Sequence, residues 1–228
     1  MKCIYCKNEC IKKGKYKTTQ RYQCKRCKKY QQQKYIHPVI PKSKYDWVLK
    51  LNNEGCGISS ISRLLQITKS SVQRVIIRIA STLQSPVYNE NNQSYEMDEL
   101  YTYCKNKKQE CWIMYAINKV TGTIINFMVG RRTKANIAQV VSSVMKLKPK
   151  RIYTDGLNVY PPLIPKSIHR IFQYSTNKIE RHNLTLRTHI KRLGRKTLCF
   201  SKSTDVLSSI LKLYWYGSGA ISRANALK

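Results

Sequence analysis

Acidic side chains are what this sequence lacks most. Its 228 residues hold 11 Asp and Glu against 43 Lys and Arg, for a formal net charge of +32 and an isoelectric point near 10.0. A chain so one-sided repels itself unless a polyanion neutralises it, which makes nucleic acid the expected partner. The basic residues are spread along the whole chain rather than gathered in a tail. Long apolar runs are missing as well. The longest, such as 111–117 (CWIMYAI), are strand-sized and far too short to span a bilayer. No amphipathic anchor or lipidation signal accompanies the basic surface. The N-terminal MKCIYCKN has no apolar signal-peptide core. These absences exclude a membrane partner of the usual kinds and lead us to expect a soluble, cytoplasmic protein. Hydrophobic residues at 42% still suffice for a real core, and the length allows one large domain or two to three small ones.

The nine cysteines do not suit a disulfide framework. Their number is odd, and four fall in two CxxC pairs, Cys3-x-x-Cys6 and Cys24-x-x-Cys27, separated by seventeen residues. Four thiolates at this spacing wrap a tetrahedral zinc ion from two sides and leave no open position, so Zn²⁺ here is structural. In so small a module the metal supplies the folding free energy. Cys10 is a fifth thiol that leaves the ligand choice open. Residues 1–44 carry fourteen Lys or Arg against one acid, Glu9, so this ribbon is expected to touch phosphates.

After a linker at 37–43 with Pro38 and Pro41, Tyr45 to Asn53 reads as a short helix. Ile58, Ile61, Leu64 and Leu65 mark a second. Thr68 starts a third, with Val72, Val75, Ile76 and Ile79 as its buried face. Two short helices joined by a tight turn match a helix-turn-helix. Lys69, Ser70, Ser71, Gln73 and Arg74 would then face a DNA groove, although the same pattern also suits an ordinary helical hairpin. The organisation expected is a ribbon over 1–40, an all-α helix-turn-helix with linker over 41–92, an α/β domain over 93–217 and a tail over 218–228.

Beyond the polar stretch 85–94 the periodicity changes to strands, over 94–103, 111–118 and 123–129, as an expected meander. A helix is expected over 135–147, a short strand over 151–154 ending at Asp155-Gly156, and another strand over 168–174. A helix beginning near Asn177 follows. Three strands, helix, strand, connection, strand, helix make a mixed five-stranded α/β sheet covered by helices. In that helix Ile179, Leu186, Ile190 and Leu193 form one apolar stripe. Asn177 would cap it, with Glu180 three residues on as in a capping box. Glu180, Arg187 and Lys191 would share the neighbouring stripe. Alone, that acid would pass as a capping residue. From Cys111 onward, however, the only acids are Asp155, Glu180 and Asp205. Asp98 in the first strand, Asp155 at the carboxyl end of the fourth and Glu180 on the helix could converge, since functional groups gather at the carboxyl ends of strands in such sheets. Converging carboxylates raise one another's pKa, and Mg²⁺ or Mn²⁺ is their natural compensation.

The run KIERHNLTLRTHIKRLGRKTLCFSKS resembles the signature around the catalytic Glu of insertion-sequence-one family transposases, of the DDE class. The resemblance extends upstream through TDGLNVY and EMDELYTY, through the helix-turn-helix, to GKYKTTQRYQCKRC in the ribbon. It implies an RNase H-like catalytic domain in which Asp98, Asp155 and Glu180 bind Mg²⁺ or Mn²⁺, with Glu96 and Glu99 as the rival acids. It implies binding of double-stranded DNA at terminal inverted repeats, strand cleavage by water and strand transfer by the DNA's own 3′ hydroxyl. Arg187, Lys191, Arg195 and Lys196 would hold the phosphate backbone beside Glu180. A homo-oligomer is expected because two element ends must be handled together, in the cytoplasm on the nucleoid of a prokaryote. A DNA-binding regulator with an inert C-terminal domain is the principal rival, and a stand-alone RNase H-like nuclease a further one. Members of the family often join ribbon and catalytic parts by a frameshift, whereas this chain is continuous.

Overall fold

The computed structural model describes residues 1–16, 18–32, 40–88, 91–172, 175–197 and 199–217. The expected tail over 218–228, residues 37–39 of the expected linker and the end of the last expected strand at 173–174 lie outside them. The chain forms two compact units, Met1–Pro41 and Lys42–Lys228.

In the first unit three antiparallel strands, β1 (Cys10–Tyr16), β2 (Thr19–Cys24) and β3 (Tyr30–Gln32), lie side by side in chain order. Each CxxC makes the same turn. The Lys7 N–H donates to the Cys3 carbonyl at 2.9 Å and the Lys28 N–H to that of Cys24 at 3.1 Å. Lys7 and Lys28 are left-handed, at φ 61 and 58. Buried Gln31 accepts from the Ile4 N–H at 2.8 Å and donates to the Lys2 carbonyl at 2.9 Å, tying the first turn to β3.

The second unit opens with α1 (Lys42–Asn53), α2 (Ile58–Leu65) and α3 (Lys69–Thr82). Gln66 turns the chain between α2 and α3 in the left-handed region (φ 50), and the Thr68 hydroxyl caps α3 by accepting from the Ser71 N–H at 3.2 Å. Val48, Ile61, Val72, Val75 and Ile76 are buried. Leu64, expected on the apolar face, is 63% exposed, because a two-turn helix buries one stripe and Ile61 occupies it. Ile79, also expected there, is half-buried.

A mixed five-stranded sheet follows, in the order β6-β5-β4-β7-β8. It comprises β4 (Ser94–Cys104), β5 (Asn106–Asn118), β6 (Ile124–Gly130), β7 (Arg151–Tyr153) and β8 (His169–Arg170). The first three form the expected antiparallel meander, and β7 and β8 add in parallel. Gly122, at φ +74, makes the turn into β6. α4 (Lys134–Met145) covers one face, where Met97, Met114, Ala116, Ile137, Val140 and Val144 are buried together. α5 (Asn177–His189) and α6 (Thr204–Tyr216) cover the other, over Leu100, Ile113, Tyr115 and Ile117. Both inner faces of β5 are thus apolar over 113–117, which explains its continuous hydrophobic run. α1 and α3 pack on α6, so the helical trio and the sheet belong to one unit. Gly55, at φ +75, lets the α1–α2 turn approach the end of α5: a Cβ there would lie 2.1 Å from the His189 carbonyl oxygen.

Candidate functional site

Two groups of side chains that could hold a metal ion assemble among the described residues. In the first, the sulfurs of Cys3, Cys6, Cys24 and Cys27 lie within 4.8 Å of one another, with Cys3 to Cys27 at 3.6 Å and Cys6 to Cys24 at 3.4 Å. A tetrahedral ion at Zn–S of about 2.3 Å sets neighbouring sulfurs roughly 3.8 Å apart, so the four thiols fit zinc with little movement. Cys10, at the start of β1, lies beside Cys3 and Cys24 with its Sγ 3.9 Å from the Asn8 carbonyl oxygen, but is not in the group.

The second group is Asp98, Glu99 and Asp155, whose carboxylate oxygens also lie within 4.8 Å. Register brings them together. β4 and β7 run parallel with Glu96 beside Tyr153, so a two-residue step brings Asp98 level with Asp155. β7 ends at Tyr153, and from there to the bridge between Cys104 and Ser201 no described strand lies beside β4 on this side. Side chains from opposite faces of β4 can therefore both reach the open edge. Asp98 turns toward α5: Asn183 Nδ2 donates to its Oδ2 at 2.6 Å, and the Glu99 N–H to its Oδ1 at 2.7 Å. The Tyr115 hydroxyl donates to Asn183 Oδ1 at 2.9 Å, holding the amide with its NH₂ toward the acid. Glu99 turns toward the α4 side and accepts from the Tyr160 hydroxyl. The Leu157 N–H donates to Asp155 Oδ1 at 3.1 Å, in the turn after β7.

Burial pushes the Asp98 carboxyl up to about 6; the Glu99 N–H pulls it down, and Asp155 pushes it up further. Burial raises Glu99 to about 7, against the Tyr160 hydroxyl, with Asp155 and Asp98 adding to the rise. Carboxylates in this state are short of positive charge. Hard oxygen donors suit Mg²⁺ or Mn²⁺, so the donor set fits a divalent ion.

Glu180 stands outside this tight group. It is exposed in the first turn of α5, where its Oε1 accepts from the Thr176 hydroxyl at 2.9 Å, yet it is close enough to push the Asp98 carboxyl up. Thr176, not Asn177, occupies the N-cap position, and no capping box forms. The physical reason is Glu96. This buried acid accepts the Ile179 N–H at 2.8 Å and pairs with Lys119 at 2.7 Å, so a side chain of the sheet satisfies the helix terminus from below. Lys119 also donates to the Ser175 carbonyl at 2.5 Å.

The expected cationic edge is broken as well. α5 ends at His189 and a 3₁₀ turn takes Lys191–Leu193, so Lys191 does not continue the helical stripe of Glu180. Arg187 donates to the carbonyls of Tyr101, at 3.0 Å, and Leu193, lacing the turn to β4. Lys191, Arg195 and Lys196 are exposed. On α3, Lys69, Ser70 and Arg74 are exposed and Gln73 half-buried, but Ser71 faces inward at 9% exposure, bound by the Thr68 hydroxyl and Arg74. It is there to close the capped first turn rather than to face a groove. Asp205 lies in the first turn of α6, whose N-cap is Ser203.

Asn183, Tyr115 and Lys119 are the supporting residues that sequence reasoning did not assign. Asn183 carried a usable signal, three residues after Glu180 on the same helix face. Tyr115 carried none, since it sits inside an apolar strand.

The IS1 transposase family model matches residues 93–216. The insertion element IS1 protein InsB of Shigella flexneri is 35% identical over 119 residues, covering 52% of this chain and 91% of that protein. The insertion element IS1 9 protein InsB of Escherichia coli K12 is 35% identical over 119 residues, covering 52% and 71%. Among solved structures, the HTLV-2 integrase catalytic core domain in complex with magnesium is similar at a TM-score of 0.36 and 16% identity, over 55% of this chain and 84% of that one. No helix among the described residues is long and apolar enough to cross a membrane.

Proposed function

Since the chain belongs to the IS1 transposase family, we propose that it is a DDE transposase with an RNase H-like catalytic domain. It binds the inverted repeats at the ends of an insertion sequence and carries out divalent-metal-dependent strand cleavage and strand transfer. The observation that carries this reading is the register that sets Asp98 level with Asp155 at the open edge of β4, below the α5 turn that bears Glu180.

Asp98, Asp155 and Glu180 would hold Mg²⁺ or Mn²⁺, with Glu99 beside them. The ions, when bound, stabilise the attacking and leaving oxygens of an in-line phosphoryl displacement. The chain's own residues keep the acids in place. Asn183 and the Glu99 N–H fix the two oxygens of Asp98, so its rotamer is set before a substrate arrives. The Leu157 N–H does the same for Asp155, and the Thr176 hydroxyl for Glu180. Lys191, Arg195 and Lys196 supply phosphate contacts beside α5. Lys69, Ser70, Gln73 and Arg74 would meet the DNA groove from α3, and the zinc-bound ribbon would add phosphate contacts of its own. Two ends handled together call for a homo-oligomer.

The test is Mg²⁺-dependent cleavage of labelled duplex carrying the element's end, by the parent protein, Glu180→Gln and Glu99→Gln, with binding followed by gel shift. Loss of cleavage with binding retained in Glu180→Gln supports the triad. Cleavage lost only in Glu99→Gln makes Glu99 the third acid. Binding without cleavage by the parent protein would instead support a DNA-binding regulator.

A further inference from the structure

Glu99, Tyr101 and Tyr103 follow at steps of two along β4 and so share one face, the face of the acid group's Glu99. Each step advances about 7 Å, so Tyr101 begins a row within one side-chain length of the acids. The neighbouring strand continues it, because Trp112 of β5 lies directly opposite Tyr101. The rings touch edge to face: Tyr101 and Trp112 have centroids 4.9 Å apart, and Tyr101 and Tyr103 5.2 Å. On the far side of Trp112 its partner in β6 is Gly130, which adds no side chain, and the chain then leaves the sheet through Arg131 and Arg132. The Arg132 guanidinium lies over the Trp112 ring at 4.1 Å from its centroid. Trp112, Arg131, Arg132 and Lys108 line an open groove of about 650 Å³ in which Glu110 is the single acid.

Only part of this serves the sheet, where Trp112 also packs against the apolar cluster under α4. Tyr101, Tyr103 and Trp112 are only half-buried, and Arg131, Arg132 and Lys108 are exposed. We infer that this aromatic and arginine row is a stacking platform for unpaired bases of the DNA strand next to the bond being cut. The choice of occupant follows from the chemistry. Cations alone would serve any phosphate backbone, paired or not. Aromatic faces and a guanidinium plane add binding only where a base offers its own face, and in a duplex those faces are covered by neighbouring bases. Arg132, already stacked on Trp112, presents a flat outer face to a base and its N–H edge to the adjoining phosphate. A strand held this way runs along β4 from the groove toward Glu99 and Asp155. The inference rests on the transposase reading for its role beside the acids.

Two substitutions test it without altering charge: Trp112→Leu, which keeps an apolar side chain but removes the ring, and Arg132→Lys, which lies on the surface and does not threaten folding. Fluorescence anisotropy of the full chain would give affinities for oligo-dT of about 20 nucleotides and for a random duplex of equal length. Each variant should bind oligo-dT about tenfold more weakly, the worth of roughly one stacked base, with duplex affinity nearly unchanged. A 2-aminopurine in the strand should also lose its quenching in Trp112→Leu. Equal losses for strand and duplex, or no loss for either in Arg132→Lys, would overturn the platform. A shifted ratio in a protein that shows no metal-dependent cleavage would support the platform and overturn the catalytic reading, so the two fail separately.

Discussion

Three acids within four residues of β4 have three different surroundings, and charge alone does not distinguish them. Glu96 is buried against Lys119 and a helix N–H, a pairing that anchors α5. Asp98 and Glu99 are partly buried beside other acids, and burial with that repulsion pushes them up to about 6 and about 7, although Arg132 draws Glu99 back down. Their ordinary values are 3.8 and 4.5, so between roughly pH 4 and pH 7 the folded chain holds protons that the unfolded chain has lost. The stability they contribute is therefore full below the unfolded values and is lost as pH rises through the folded ones. Without Mg²⁺, the melting temperature should fall by about 5 °C more between pH 5 and pH 8 than it does in Asp98→Asn/Glu99→Gln. Added Mg²⁺ should restore the difference at pH 8. Parallel curves for the two proteins would mean that these carboxyls are not strained.

The elements around the site are joined at a few close approaches. Gly55 is the tightest, with a left-handed φ and the His189 carbonyl against its α-carbon. Gly55→Ala should lower unfolding free energy by about 2–4 kcal/mol, measured by urea titration, from backbone strain and the forced separation of the α1–α2 turn from α5. Gly57→Ala, in open space, should cost less than about 1 kcal/mol. A metal in the ribbon would be held in a similarly local way. Cys24→Ser should abolish bound zinc in a metal-content assay, while Cys10→Ser should leave one zinc per chain, because only Cys24 is in the four-sulfur group. Loss of zinc in Cys10→Ser would show that the ligand set is exchanged.

Across the whole molecule, a charge of +32 implies strongly salt-dependent DNA affinity, but not every cation contributes. Arg195→Gln/Lys196→Gln should reduce the slope of log affinity against log salt by about 2, since each lost phosphate contact removes roughly 0.9. Arg187→Gln should barely move the slope and should instead lower the melting temperature, because its guanidinium is bonded to the Tyr101 and Leu193 carbonyls. A slope change in Arg187→Gln equal to that of the double variant would contradict this division between DNA-facing and structural cations.

Much of this protein is legible in residue order alone. The thiol spacing marks the four sulfurs that the structure brings together, alternation and helical periodicity mark the strands and helices of the mixed sheet, and charge points to nucleic acid as the expected partner. Those are local or summed properties, which a sequence carries without reference to contacts. What the tertiary structure decided was which acids meet. The parallel register of β4 and β7 sets Asp98 level with Asp155 and, by ending β7 at Tyr153, opens the edge that admits Glu99. It also moved the start of α5 by one residue, through a hydrogen bond from the Ile179 N–H to Glu96, 83 positions away in sequence. The Tyr115–Asn183–Asp98 chain and the Tyr101–Trp112–Arg132 row likewise join residues from separate elements. Side chains far apart along a chain become neighbours only through strand register and helix packing, and no short-range pattern encodes either.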